Sequence, residues 1–185
     1  MNGAALLSGD GIALKPFREE DATDRYVGWL NDPMVNRYLD VRFTPQTRVT
    51  GLAFVRSFQS EVEKYMWGIW PDGEDHPVGT ATLYHINRTH GGAELGLLIG
   101  EKDLWGGRTA SVVIGLIARH AFGPLGLRRL TGGTYAPHHA MNFLYRKLGF
   151  RLEGRLVKAH RLGEEYVDGY RWAILAEEWA ARHGV

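Results

Sequence analysis

Apolar positions along the chain switch between two spacings, and the switches mark the elements. Ile12, Leu14 and Pro16 alternate with Ala13, Lys15 and Phe17, which predicts a first strand over Gly11–Phe17. Arg18-Glu19-Glu20-Asp21 then loads acid at a helix start, where the peptide dipoles favour it. Tyr26, Trp29 and Leu30 give that helix one apolar face, and Asn31-Asp32-Pro33 ends it, because the residue before proline is driven out of helical backbone. Val35, Tyr38 and Leu39 predict a second short helix. Thr44-Pro45 reads as an N-cap and first helical position of a third helix, reaching about Glu63.

The spacing then shortens. Tyr65–Trp70, Val78–Ile86 and Ala93–Ile99 are rich in aromatic and β-branched residues and predict three strands of an antiparallel meander. Helical spacing returns in Val112, Val113, Leu116, Ile117 and Phe122. Leu130–Tyr135 is a further strand, Ala140–Leu148 a helix stopped by Gly149, and Arg151–His160 and Tyr166–Leu175 two strands about a turn at Leu162–Glu164. Glu177–His183 closes the chain as a polar helix. This order predicts a mixed α+β fold of the α/β kind, with helices on both faces of one sheet. Neither a linker nor a repeat interrupts it, so residues 1–185 read as a single domain.

Composition narrows the classes. Twenty-two basic residues against 21 acidic ones leave a net charge of +1, too small a field to favour nucleic acid or a membrane surface as partner. The absence of cysteine excludes disulfides, thiolate zinc sites and a cysteine nucleophile. The start MNGAALLSGDGIAL lacks the basic opening and long apolar run of a secretory signal, and VVIGLIA falls far short of the roughly 20 residues that span a bilayer. A cytoplasmic location is the expectation.

One stretch carries chemistry. From Leu95 to Phe122, LGLLIGEKDLWGGRTASVVIGLIARHAF reads as an apolar strand, a glycine turn and a helix. The first N–H groups of a helix have no partner inside it and the aligned dipoles favour an anion there. Gly106 and Gly107 clear the way for a phosphate to reach that backbone. His138-His139 does not make a metal site, because neighbouring helical side chains diverge and no carboxylate stands at i+4; no metal is expected.

Four segments in order, WLNDPMVNRYL at Trp29–Leu39, the Leu95–Phe122 stretch, FLYRKLGF at Phe143–Phe150, and the tail EGRLVKAHRLGEEYVDGYRWAILAEEW, resemble the GCN5-related N-acetyltransferases. The likeness covers nearly the whole chain. Within the superfamily it is similar to the branch of ribosomal-protein N-terminal acetyltransferases and amino-sugar acetyltransferases. The resemblance implies a mostly antiparallel sheet of six to seven strands, splayed between the fourth and fifth, here Ala93–Ile99 and Leu130–Tyr135, with acetyl-CoA in the split. It also implies that backbone at Leu98, Ile99 and Gly100 pairs with the pantetheine arm, and that Gly106, Gly107, Arg108, Thr109 and Ala110 seat the pyrophosphate.

The chain departs from that family's pattern at three places. Arg108 stands where glycine is usual; either its guanidinium reaches a CoA phosphate or the turn shifts so that Gly107 does the work. His138 replaces an asparagine that holds pantetheine, and Met141 a serine, so His138, or Asn142 one turn on, takes over the holding. Tyr145 lies where the family keeps a tyrosine near the thioester sulfur, to protonate or hydrogen-bond the departing thiolate. Glu94 matches the place of a catalytic glutamate in several relatives, and His85 is a second candidate base, with water-mediated proton removal a third route. Asn36, Arg37, Tyr38 and Arg42 fall in the segment that overhangs the acceptor in this family.

The expected reaction is acetyl transfer from acetyl-CoA to a primary amine of a small molecule or peptide N-terminus, with an amino-sugar or a protein N-terminus as acceptor. Two other readings stand beside it: an acyl-CoA-binding domain whose catalysis has decayed, and transfer of a longer acyl group. Members of this branch are often dimers, so a homodimer is the expected assembly.

Overall fold

A computed structural model describes residues 4–60 and 63–184. Eight strands alternate with five α-helices: β1 (Leu7–Gly9), β2 (Ile12–Pro16), α1 (Asp24–Asn31), α2 (Arg48–Ser60), β3 (Tyr65–Pro71), β4 (Gly79–Asn87), β5 (Gly92–Ile99), α3 (Thr109–Phe122), β6 (Arg129–Tyr135), α4 (His139–Leu148), β7 (Arg151–Leu162), β8 (Glu165–Leu175) and α5 (Ala176–His183). The strands hydrogen-bond in the order β1-β2-β3-β4-β5-β6-β8-β7. Pairing is antiparallel for β1/β2, β2/β3, β3/β4, β6/β8 and β7/β8. It is parallel for β5/β6, over three positions from Gly92↔Arg129 to Glu94↔Thr131, while β5 runs on to Ile99 and β6 to Tyr135. The mixed, mostly antiparallel sheet agrees with the expected fold, with one strand more, because the three residues of β1 are too short to show a period.

The chain packs as two compact units, one comprising the residues through His85 with Gly96–Ile117, the other Ile86–Leu95 with the residues from Ala118 on. In the first, Phe17, Ala22, Tyr26, Trp29, Leu30, Val55, Phe58, Met66 and Leu98 form a buried cluster, edged by Val35, Leu39, Val41 and Tyr84. In the second, Leu130, Tyr145, Phe150, Trp172, Ile174 and Trp179 are buried.

Local chemistry corrects three expected helices. The acidic run at Glu19–Asp21 makes a 3-10 turn of its own, and α1 opens only at Asp24. Val35, Tyr38 and Leu39 lie in consecutive turns followed by a 3-10 turn at Asp40–Phe43. Asp32 there accepts from the backbone of Met34 at 2.8 Å, an Asx-type bond that competes with a helix. The third helix starts at Arg48, where the Thr50 N–H donates to Thr47 Oγ1 and the Thr47 N–H to Thr50 Oγ1, so the threonine after Pro45 does the capping expected of Thr44. That helix ends at Ser60, and residues 61 and 62 of its expected end lie outside the described residues.

At the far end of the sheet order, β7 is exposed along nearly its whole length. Its register against β8 shifts between Leu152 and Gly154 and again between Leu156 and His160, and Lys158 has φ 48°. Asp168 of β8 holds the second irregularity, accepting from the Lys158 N–H at 2.7 Å and from the Arg155 guanidinium at 2.5 Å.

Candidate active site

In the first unit the end of β5 is fixed by a tryptophan. A side chain on Gly100 would collide with the Trp29 indole, its Cβ 2.1 Å from Cδ2, so only glycine allows the ring to lie there. The Gly100 and Glu101 N–H groups both donate to the Val78 carbonyl, at 2.9 and 3.1 Å. Leu98 buries its side chain in the core cluster, and its carbonyl lies against Gly79 of β4. Successive residues of a strand turn their backbone groups to opposite edges, so Leu97 and Ile99 turn theirs away from β4. The Ile99 carbonyl accepts from the Trp105 indole N–H at 2.9 Å. Two ion pairs, Lys102–Asp32 at 2.5 Å and Arg25–Glu101 at 3.0 Å, tie α1 to the segment after β5. The lysine ammonium and the Met34 N–H hold the Asp32 carboxyl below its ordinary range.

The turn into α3 follows. Gly106 has φ +75°, a conformation that L side chains rarely adopt, with no atom crowding the place of a Cβ. The Arg108 carbonyl accepts from the Val112 N–H at 3.0 Å and from Ser111 Oγ at 2.6 Å, so Arg108 stands at the N-cap of α3. Neither Gly107 nor Arg108 has a positive φ. An arginine therefore fits where a glycine is usual, and the left-handed residue is Gly106. The Arg108 guanidinium donates to the Asp10 carbonyl in the β1–β2 turn. Thr109 is buried, Ala110 half-buried.

In the second unit the centre is Tyr145 on α4, with a side chain almost wholly buried. Its ring stacks near Trp172 of β8, centroids 5.9 Å apart, and tilts against Phe150 at 4.7 Å. The hydroxyl sits on Gly132 of β6, where an added Cβ would lie 2.0 Å from Oη. Beside it, Asn142 Oδ1 accepts from Thr134 Oγ1 at 2.5 Å and from Trp172 Nε1 at 3.2 Å. Its Nδ2 donates to the carbonyls of Tyr135 and Ala136 at 3.1 and 3.0 Å. Both donors and the acceptor of the amide are thus engaged. Gly149 at φ +95° ends α4, and Arg182 of α5 donates to the Lys147 carbonyl at 3.0 Å.

His138 stands at the N-cap of α4, where burial, and then the neighbouring His139, push its pKa down to about 4. Near neutral pH its ring is an uncharged hydrogen-bonding group. On the other sheet face from Tyr145, Glu94 of β5 accepts from the Arg171 guanidinium of β8 at 3.0 Å.

The acetyltransferase (GNAT) domain model matches residues 12–151 of this chain. The chain belongs to the GNAT acetyltransferase family. It is 26% identical over 152 residues to the uncharacterized N-acetyltransferase YoaA of Bacillus subtilis, covering 82% of this chain and 85% of the relative. It is also 26% identical, over 178 residues, to the spermidine N(1)-acetyltransferase of Escherichia coli K12, with 95% and 92% covered. Among solved structures, the ribosomal L7/L12 alpha-N-protein acetyltransferase RimL in complex with coenzyme A superposes with a TM-score of 0.82 at 16% identity, covering 92% of this chain and 98% of that one.

In this GNAT acetyltransferase the candidate residues fall into distinct surroundings. Gly106, Gly107 and Arg108 lie on an exposed turn. Leu98 and Gly100 are buried, with the backbone of Gly100 committed to Val78. Asn142 joins α4 to β6 and β8 through its amide. Asn36 is buried and donates to the Leu30 carbonyl at 2.8 Å, holding the turns after α1. Arg37 is exposed, with its guanidinium 5.5 Å from the Tyr38 ring, and Arg42 donates to the Leu39 carbonyl at 2.7 Å. His85 is exposed with φ 51° on β4, its ring 4.7 Å from that of Tyr84. The contacts of Arg171, Thr134 and Trp172 with Glu94 and Asn142 have no counterpart in the sequence reading. The only local signal for them was the pair Gly132-Gly133 inside a strand, since glycine there weakens a strand and marks a close approach. Among the described residues no three histidine or carboxylate groups stand together as metal donors, and no helix is long and apolar enough to cross a membrane.

Proposed function

We propose that this acetyltransferase moves the acetyl group of acetyl-CoA to a primary amine of a small molecule or of a peptide N-terminus, by direct attack of the uncharged amine on the thioester carbon. The C–N bond forms, the C–S bond breaks, the amine nitrogen gives up a proton and the CoA thiolate takes one. The observation that carries the donor side is the turn into α3: a left-handed glycine with open space about it, then the N–H groups of a fourteen-residue helix, is a seat for pyrophosphate. Gly106, Gly107 and the first turn at Thr109 and Ala110 hold the phosphates, with Arg108 drawn from Asp10 as a further donor. The pantetheine pairs with the strand edge that Leu97 and Ile99 present, and the neutral His138 replaces the usual asparagine. Tyr145 supplies the phenol for the thiolate, and Glu94 receives the amine proton directly or through water. Relatives that act on spermidine and on a ribosomal protein N-terminus support an amine acceptor of either kind.

Two measurements test this. CoA at millimolar concentration raises Tm, since a ligand bound only by the native state stabilises it. Thiol release from acetyl-CoA across amino-sugars, peptides, polyamines and amino acids then identifies turnover, with succinyl-CoA as the comparison donor. Absence of the CoA shift overturns the reading; a shift without thiol release makes the protein a binding module.

A further inference from the structure

Gly132 and Gly133 of β6 face opposite sides of the sheet, and only one of them is demanded by packing. Gly132 is fixed by the Tyr145 hydroxyl at 2.0 Å from an added Cβ. At Gly133 a Cβ would meet the flexible end of Arg171 at 3.3 Å and Glu94 at 3.7 Å, and the residue is exposed although its strand lies inside the sheet order. The register places Gly133 of β6 and Gly154 of β7 on either side of Arg171. Across this face runs Glu94, a bare floor at Gly133, Arg171, and a second bare floor at Gly154. The Glu94 side chain is 19% exposed and that of Arg171 53%. The guanidinium end of this pair is open to water while the carboxylate end is largely covered, and glycine inside a strand weakens it unless something approaches the backbone.

We propose that Glu94 and Arg171 form the acceptor-recognition pair, and that the acceptor is an amine carrying a carboxylate on the adjacent carbon, an α-amino acid. This rests on the acetyl-transfer reading above. Arg171 swings from Glu94 to take the substrate carboxylate on two parallel N–H bonds, a geometry that guanidinium and carboxylate share. Glu94 then faces the substrate nitrogen, and the floor at Gly133 admits the α-carbon between them. A polyamine or an internal amide offers Arg171 nothing.

The test is thiol release from acetyl-CoA with a set of L-amino acids, their carboxamides and spermidine. The amino acids are expected to exceed their amides by about tenfold or more in kcat/KM, the worth of a charge-assisted hydrogen bond. Arg171→Gln raises KM for the amino acids by about the same factor and brings the acid-to-amide ratio of kcat/KM close to one. Gly133→Val, with its circular dichroism preserved, removes the preference by filling the floor. Equal use of acids and amides, a preference for spermidine, or an unchanged ratio in Arg171→Gln overturns the assignment while leaving acetyl transfer standing. Thiol release with none of the amines, despite a CoA-induced rise in Tm, overturns acetyl transfer itself and this assignment with it.

Discussion

The turn into α3 and the surroundings of Tyr145 are built on opposite terms. The turn presents exposed backbone, with open space around Gly106. The tyrosine is buried among side chains whose polar atoms are bonded to one another, Thr134, Asn142 and Trp172. A seat made of backbone tolerates a change of side chain provided φ is right, which is how Arg108 stands where glycine is usual. A seat made of interlocked side chains does not, because each lost partner leaves a buried group unsatisfied.

That contrast orders the effects of substitution. Asn142→Ala should be the most damaging, because the Thr134 hydroxyl loses its acceptor and the Ala136 carbonyl its amide donor, while the Trp172 N–H is left with Thr134 Oγ1 and the Tyr135 carbonyl with the His138 N–H, for about 3 kcal/mol of lost stability in urea unfolding. Loss of less than about 1 kcal/mol would mean that the network is not structural. Tyr145→Phe keeps the ring stack and should lower kcat about a hundredfold with the CoA-induced Tm shift retained; unchanged kcat removes the phenol from the mechanism. Gly106→Val forces a β-branched residue into the left-handed region, at about 1–3 kcal/mol. It should weaken CoA binding in calorimetry about tenfold or more, whereas Gly107→Ala, at ordinary φ, should change it little. Equal effects at the two glycines would break the comparison.

The smallest effect concerns pH. His138 in the native state resists protonation down to about pH 4, while the unfolded chain protonates it near the ordinary histidine value of 6.5. Between those values the unfolded state binds more protons, so His138 lends stability above the upper value that is lost as pH falls through the window. His138→Gln should flatten the fall of Tm across it, with the contribution of the buried His120, lowered by desolvation, remaining.

Much of this was legible in local pattern. The glycine turn, the helix after it and the stop at Gly149 follow from residues within a few positions of each other, and so do the long strands. The segment after Pro33 was not, because Val35, Tyr38 and Leu39 satisfy helical spacing while Asp32 and Asn36 spend their side chains on nearby backbone. Tyr145 could be picked out from FLYRKLGF, but not its seat on Gly132, and the partner of Glu94 stands 77 residues away. Strand register alone brings such pairs together, and no periodicity encodes it.

The irregular β7 has a consequence for the protein's behaviour in concentrated solution. A twelve-residue strand at the end of a sheet order is a template onto which another chain can add, by backbone hydrogen bonds, in an open-ended stack. Two shifts of register and the left-handed Lys158 break that edge into short pieces, which makes it a poor template for such growth. Asp168→Ala, which removes the acceptor holding that irregularity, is expected to show first as turbidity on storage.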